Sequence, residues 1–353
     1  MKQRLTALIL LCALLAGCAA AGKGEQPLSA TVLAMDTVMN FTLYGSGEVG
    51  EEQLRQALSG AEDTLRQLDA ALTAQGAEGE AAALNAADGA WTAVPQSGAL
   101  LKQTLELAEL TGGALDPTAY AAVKAWGFAD GNYTVPNREE LDALKAAIDY
   151  TRVEVSQDGA QARLAPGQQL DFGATAKGYA GDLLRRQLEQ EGITSALLDL
   201  GQSSIAAVGS KPDGSPWRLG IQDPAADSGV YLGVLELSGR SMGTSGSYQR
   251  YFEQDGVRYC QIIDPATASP ARSGLAGVTV VADSCLLCDG LSTALFVMGL
   301  DRGVQFWQTW RDHDDVRFDC IFITDDGAIY LTPGLADAFT LVDGQSREVT
   351  VLS

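Results

Sequence analysis

Between Leu170 and Asp182 the chain runs Leu-Asp-Phe-Gly-Ala-Thr-Ala-Lys-Gly-Tyr-Ala-Gly-Asp, a carboxylate followed by small residues and then a lysine. Asp171 is placed at a strand end. Small residues from Gly173 to Ala176 let backbone approach a ligand as a helix begins. Lys177 then stands near the positive helix N-terminus, where free N–H groups and the macrodipole favour a phosphate. A tight strand-to-helix turn with a solvated lysine accounts for the same residues. A second segment, Cys288 to Ala294, puts Asp289, Ser292 and Thr293 at the start of an apolar helix. Residues three and four apart share a helix face, so Asp289 and Thr293 can aim oxygen atoms at one cation, and hard oxygen donors suit magnesium. An ordinary first turn capped by Asp289, with Ser292 and Thr293 filling space, would read the same way.

Two further places carry weaker signals. From Gly113 to Phe128, Asp116, Pro117 and Thr118 read as a helix start, and Trp126 and Phe128 read as core. Thr244-Ser245-Gly246 and Ile262-Ile263-Asp264-Pro265 can each be a turn.

These segments need elements to hold them. Apolar and polar residues alternate over 31–44 as in a strand, and Glu51 to Leu72 repeats apolar residues at helical spacing. Helices are predicted over 100–110, 138–148 and 176–191, and strands over 196–200, 205–208, 217–221 and 231–237. Asp255-Gly256 and Asp326-Gly327 mark hairpin turns. Helices and strands interleave without a strict βαβ rhythm, so the fold class is α+β. The part up to about Tyr150 is helix-rich and the rest strand-rich, which suggests two lobes with a cleft between them. No Pro-rich or Ser-rich linker separates the two, and no period implies a repeat protein.

The chain has 353 residues, 46% of them hydrophobic, and a formal net charge of −21. So acidic a surface repels nucleic acid and anionic headgroups. Its start is a basic Lys2 and Arg4, an apolar stretch from Leu5 to Leu15, and Leu15-Ala16-Gly17-Cys18. That layout is a secretory signal, too short to span a bilayer, and its end resembles the lipobox whose Cys is diacylated. The alternative is ordinary cleavage with Cys18 incidental. The expectation is a protein lipid-anchored through Cys18 to the cell membrane on its extracytoplasmic side. Residues 1–17 would be leader, 18–29 a flexible tether, and 30–345 the folded domain. Loss of Lys2 and Arg4 takes the net charge from −21 to −23.

Of six cysteines, Cys12 and Cys18 fall in this start. Cys260, Cys285, Cys288 and Cys320 are expected to be buried thiols or a structural disulfide. The Cys285/Cys288 pair is weak for zinc, since it has no second pair and His313 is the chain's one histidine.

Taken in order, the segments resemble the ApbE family, the FAD:protein FMN transferases. The resemblance rests on Met35 in an early strand, residues 114–118 with Trp126, Gly127 and Phe128, and the segments 171–178, 217–224, 244–252, 262–265 and 289–299. It spans nearly all of 30–300. It implies an α+β fold with an FAD cleft between two lobes. The implied reaction is magnesium-dependent transfer of FMN from FAD, the substrate, to a Ser or Thr hydroxyl of a target protein, with AMP leaving. The implied metal site is the Ala174 carbonyl with Asp289 and Thr293, Ser292 adjoining. The implied FAD contacts are Met35, Ala114, Leu115, Asp116, Asp171, Lys177 and Ile263. Lys177 would supplement the metal, and Asp171 would be the base or an adenine or ribose contact. Implied acceptors are exported FMN-binding proteins, either subunits of membrane redox pumps or extracytoplasmic electron-transfer proteins. A tether at Cys18 would keep enzyme and acceptor on one surface.

Attack on a pyrophosphate needs charge neutralisation more than covalent help, which accords with such a site. Three positions depart from the family pattern. Gln75 stands for a Tyr, Gln261 for a His, and Gly201-Gln202-Ser203 for Gly-Gly-Asn. Two other readings therefore stand beside transfer: an FAD pyrophosphatase using water as acceptor, and a lipoprotein that holds FAD without chemistry.

Overall fold

Burial alternates along the first strands of the fold and becomes continuous in the central ones. In the computed structural model, which describes residues 26–47, 49–76, 78–342 and 347–353, nine strands form one sheet. They are β1 (Leu28–Ala34), β2 (Thr37–Leu43), β3 (Ala196–Asp199), β4 (Ser204–Val208), β5 (Ser241–Gly246), β6 (Leu275–Ala282), β7 (Phe318–Thr324), β8 (Ile329–Leu331) and β9 (Val349–Val351). The strands lie side by side in chain order. Every neighbouring pair is antiparallel except the last, β8 with β9. The positions expected for the leader, including Cys18, and most of the tether lie outside the described residues. β1 begins at Leu28, and β9 lies past residue 345.

Both faces of the sheet are covered, which is why β4 is buried at all five positions. Its Ala206 and Val208 pack with the helices, and Ile205 and Ala207 pack on the other side. That other side is closed by a three-stranded sheet of Trp217–Gln222, Tyr231–Leu237 and Phe339–Leu341. Trp217, Leu235 and Phe339 there share a core with Val281, Ile321 and Ile323.

The helices are α1 (Glu51–Leu72), α2 (Glu80–Ala86), α3 (Gly98–Leu110), α4 (Tyr120–Ala125), α5 (Arg138–Ala147), α6 (Ala176–Gln190) and α7 (Cys285–Trp310, broken at Gly299 with φ 78°). α1 buries Leu54, Ala57, Leu58, Ala61, Leu65 and Leu68, a stripe at three- and four-residue spacing. These residues join Tyr179, Leu184 and Leu188 of α6 and Met39 and Phe41 of β2 in the largest core. A separate cluster joins Trp126 and Phe128, just after α4, to Phe252 and Ile263, with Leu141 and Leu144 of α5 against it. Phe252 belongs to the hairpin Tyr251–Gln254/Val257–Cys260, turned at Asp255 and Gly256 as the sequence predicts. No described helix is long and apolar enough to cross a membrane.

The α+β reading holds, but the division suggested near Tyr150 does not separate the lobes. β1 and β2 from the helix-rich part join the main sheet through β3, while the 251–260 hairpin from the strand-rich part packs beside α4 and α5. The predicted strand 31–44 is a hairpin, broken at Met35 and Asp36, whose φ values of 50° and 57° place both in the left-handed region. Met35 is thus in a turn, not in a strand. Nor does Asp171 end a strand. The nearest ladder contact is one isolated bridge between Ala119 and Gln169. The four cysteines are free and buried, which removes the disulfide alternative among the described residues.

Candidate functional site

α6 and α7 touch backbone to backbone. A Cβ on Gly178 would stand 2.4 Å from the Cys285 carbonyl oxygen, so only glycine permits this approach. At the contact the Gly178 N–H donates to Asp289 Oδ2 at 2.7 Å, and the Ser204 hydroxyl donates to Asp289 Oδ1 at 2.5 Å. In return, Asp182 of α6 accepts from the N–H groups of Cys285 at 2.7 Å and Leu286 at 3.1 Å, and from the Ser284 hydroxyl at 2.6 Å. Each helix thus receives at its N-terminus, where backbone N–H groups lack intrahelical partners, an aspartate from the other. Asp289 does not cap its own helix. Ser284 does so, accepting from the Leu287 N–H at 3.2 Å.

β5 lies against the same turn of α7, since a Cβ on Gly243 would meet the Cys288 carbonyl carbon at 2.5 Å. Ser245 Oγ lies 2.9 Å from Ser292 Oγ and 3.0 Å from Thr293 Oγ1. Ser292 is buried and donates to the Asp289 carbonyl at 2.9 Å. Thr293 faces a cleft.

That cleft is lined by Ala114, Leu115, Asp116, Asp171, Ala174, Lys177, Ile263, Asp289 and Thr293. Met35 lines an adjoining arm with Asp36, Gln75 and Tyr120, and Asp171 and Lys177 face both arms. Of the described residues expected to contact FAD or metal, Ser292 alone lines neither arm. Sequence reasoning missed Ser204 and Asp182, which hold Asp289 and the start of α7. It also missed Ser245, Asn85 and Arg250, the last of which lines both arms and donates to the Phe128 carbonyl. Asp182 closes the 170–182 segment and Ser245 and Arg250 fall within 244–252, but the spacing there assigns them no partner, while Ser204 and Asn85 lie in no motif with a chemical signature.

The carboxylates of the cleft differ in what occupies them. Asp116 Oδ1 accepts from the Thr118 N–H at 2.9 Å and hydroxyl at 2.6 Å, and Oδ2 accepts from the Tyr150 N–H at 3.0 Å. Burial raises its pKa, and those bonds act against the rise. Its side chain braces the 114–118 turn. Asp289 is also raised by burial, while the Lys177 charge and the bonds from Ser204 and Gly178 pull it down. Asp171 accepts from the Gly173 N–H at 3.2 Å, and burial lifts it to about 6.

A magnesium ion fits the donor set. Among the described residues no group of three or more His, Cys, Asp or Glu side chains could hold a metal. The cleft lining offers instead one carboxylate, one hydroxyl and one backbone carbonyl, in Asp289, Thr293 and Ala174. Magnesium keeps several waters and binds through one or two carboxylates plus substrate phosphates. Structural zinc, needing four nitrogen or sulfur ligands, does not fit.

Residues 35–318 match the profile of the ApbE family. The chain belongs to the ApbE family. It is 33% identical over 315 residues to the FAD:protein FMN transferase of Klebsiella pneumoniae (strain 342), covering 85% of this chain and 87% of that one. To the FAD:protein FMN transferase of Vibrio cholerae serotype O1 it is 36% identical over 235 residues, 65% of this chain and 67% of the other. The crystal structure of apo Pseudomonas stutzeri flavinyl transferase ApbE superposes with a TM-score of 0.78 at 28% identity, covering 90% of this chain and 98% of that one.

The three departures from the ApbE pattern can be placed. Gln75 donates from Nε2 to the Ala129 carbonyl at 2.7 Å on the edge of the Met35 arm. Gln261 lines both arms, while neighbouring Cys260 is buried with its thiol toward the Ile262 and Ala271 carbonyls. In the third, Gly201 has φ 89° and a Cβ there would meet Thr37 Oγ1 at 2.5 Å, so the loop is pressed against the start of β2. Ser203 of that loop lines the cleft.

Proposed function

We propose that this ApbE-family protein is a magnesium-dependent FAD:protein FMN transferase acting on exported FMN-binding redox proteins, held to the extracytoplasmic side of the cell membrane through a lipidated Cys18. The observation that carries this reading is the convergence of Asp171, Ala174, Lys177, Asp289 and Thr293 on one cleft. These residues come from segments more than a hundred positions apart. Lys177, in the first turn of α6, holds the diphosphate of FAD with the help of the helix N-terminus. Asp289 and Thr293, with the Ala174 carbonyl, would hold the metal. Magnesium there supplies charge neutralisation on the diphosphate and its leaving oxygen.

The acceptor Ser or Thr oxygen attacks the phosphorus on the FMN side. The bond from that phosphorus to the bridging oxygen breaks, AMP departs with the electron pair, and the acceptor proton passes to a base. Asp171 fits the base, because its pKa near 6 leaves it ionised at neutral pH yet more basic than an ordinary carboxylate. A base is needed from this chain's own residues, since Gln261 cannot serve as one.

The test is incubation of the protein with FAD, magnesium and an FMN-binding acceptor domain, followed by denaturing electrophoresis. A flavin-fluorescent acceptor band is the expected result. Free FMN and AMP without a labelled band would replace transfer by hydrolysis, and unchanged FAD would leave a binding protein.

A further inference from the structure

We infer that Asp182 is a positioning residue for the metal site, holding the start of α7 in register with α6 so that Asp289 and Thr293 face the cleft beside Ala174. This rests on the magnesium reading above. Asp182 itself is buried and does not line the cleft. Both of its oxygens are committed to the first residues of α7, through Ser284, Cys285 and Leu286.

Asp289 follows Cys285 by four residues, so it stands about one turn along the helix from the Asp182 contacts. A slide or rotation of that first turn passes directly to the Asp289 carboxylate. The contact between Gly178 and Cys285 leaves no slack to absorb it. Capping alone does not call for Asp182, since Ser284 already accepts from the Leu287 N–H. What Asp182 adds is a bond between the two helices. Ala174 precedes Gly178 by four residues, just as Asp289 follows Cys285 by four, with Thr293 one turn further along α7. The contacts around Asp182 are therefore the hinge point from which both halves of the metal site project. Partners behind a metal ligand that fix its orientation commonly change metal affinity 10- to 100-fold when removed.

The experiment uses the full chain in detergent and manganese as a paramagnetic probe of the site, with binding read from the free-ion signal. Asp182→Asn is compared with wild type, with Asp289→Ala, and with Leu335→Ala. The last loses stability through the core on the opposite face of the sheet. Asp182→Asn is expected to weaken manganese binding about tenfold. Affinity for FAD without metal should stay near wild type, and the transfer rate should recover at saturating metal. Leu335→Ala should bind manganese as wild type does, despite a lowered melting temperature. Wild-type manganese affinity in Asp182→Asn overturns the inference, and so does recovery of nothing at saturating metal. If Asp289→Ala binds manganese as tightly as wild type, the magnesium reading itself fails and the inference goes with it.

Discussion

Asn85 pairs its side-chain amide with both backbone groups of Leu170. Nδ2 donates to the Leu170 carbonyl at 2.8 Å, and Oδ1 accepts the Leu170 N–H at 2.7 Å. The next N–H, that of Asp171, donates to the Pro117 carbonyl at 3.1 Å. Asp171 is therefore held at the cleft by one side chain of α2 and one carbonyl, without a strand ladder. Asn85→Ala leaves two buried backbone groups without partners, at a cost of about 1–3 kcal/mol for each unpaired group. Chemical denaturation should show that loss, and the FMN transfer rate should fall with Asp171 no longer fixed. Asn85→Ala with wild-type stability and rate would remove this role.

Asp171 sets a pH limb. Its carboxyl titrates near 6 in the folded protein and near 3.8 when exposed. Below about 6 it is protonated and cannot take the acceptor's proton, so transfer should rise with pH through 6 and then level. In stability the sign is opposite to that of a salt-bridged acid. Between 3.8 and 6 the folded chain keeps a proton the unfolded chain has lost, so this group's contribution falls as pH rises across that window. Asp171→Asn should abolish the kinetic limb and should flatten the corresponding part of the stability profile. A rate limb at pH 6 that survives in Asp171→Asn would assign it to another group.

Gly178→Ala should be strongly destabilising. The new Cβ would fall 2.4 Å from the Cys285 carbonyl oxygen and 2.7 Å from Leu286 Cα, both backbone atoms that cannot turn aside. Overpacking of this kind costs about 1–3 kcal/mol, and more where backbone must move. Thermal denaturation checks the loss. An alanine variant as stable as wild type would mean that α6 and α7 do not touch here.

The thiols give a test of burial. Cys260, Cys285, Cys288 and Cys320 are free, and burial pushes all four above the ordinary thiol range. Since the thiolate is the reactive form, native protein spanning residues 26–353 should resist alkylation at these positions. The same protein in denaturant without reductant should be alkylated at all four, as mass spectrometry would show. Protection that persists in denaturant until reductant is added would reveal a disulfide.

How far the sequence disclosed this protein depended on the range of the interaction. α1 was readable to the residue because its apolar stripe repeats locally from Leu54 to Leu68. The 251–260 hairpin was readable from Asp255 and Gly256. The Met35 turn was not, since Met and Asp at positive φ have no glycine to announce them. Asp289, Thr293 and Lys177 were found because each sits in a segment whose spacing has chemical meaning. Ser204 and Asp182 were not, because a hydroxyl or carboxylate that reaches a partner about a hundred residues away leaves no local pattern. The role of Asp289 as a cap could be read only for its own helix, whereas the N–H it accepts belongs to α6.

The order of the main sheet has a consequence for how such a protein can vary. Since strands that are neighbours in space are also neighbours along the chain, the segments that meet the cleft, apart from Thr244–Gly246 of β5 itself, are excursions between two consecutive strands. Ala114–Asp116, Asp171 and Lys177 lie between β2 and β3, Gln261 and Ile263 between β5 and β6, and Asp289 and Thr293 between β6 and β7. An excursion can lengthen, shorten or be exchanged without shifting the pairing of any two strands. The scaffold is modular in that sense, and an acceptor preference can be regrafted onto it one loop at a time.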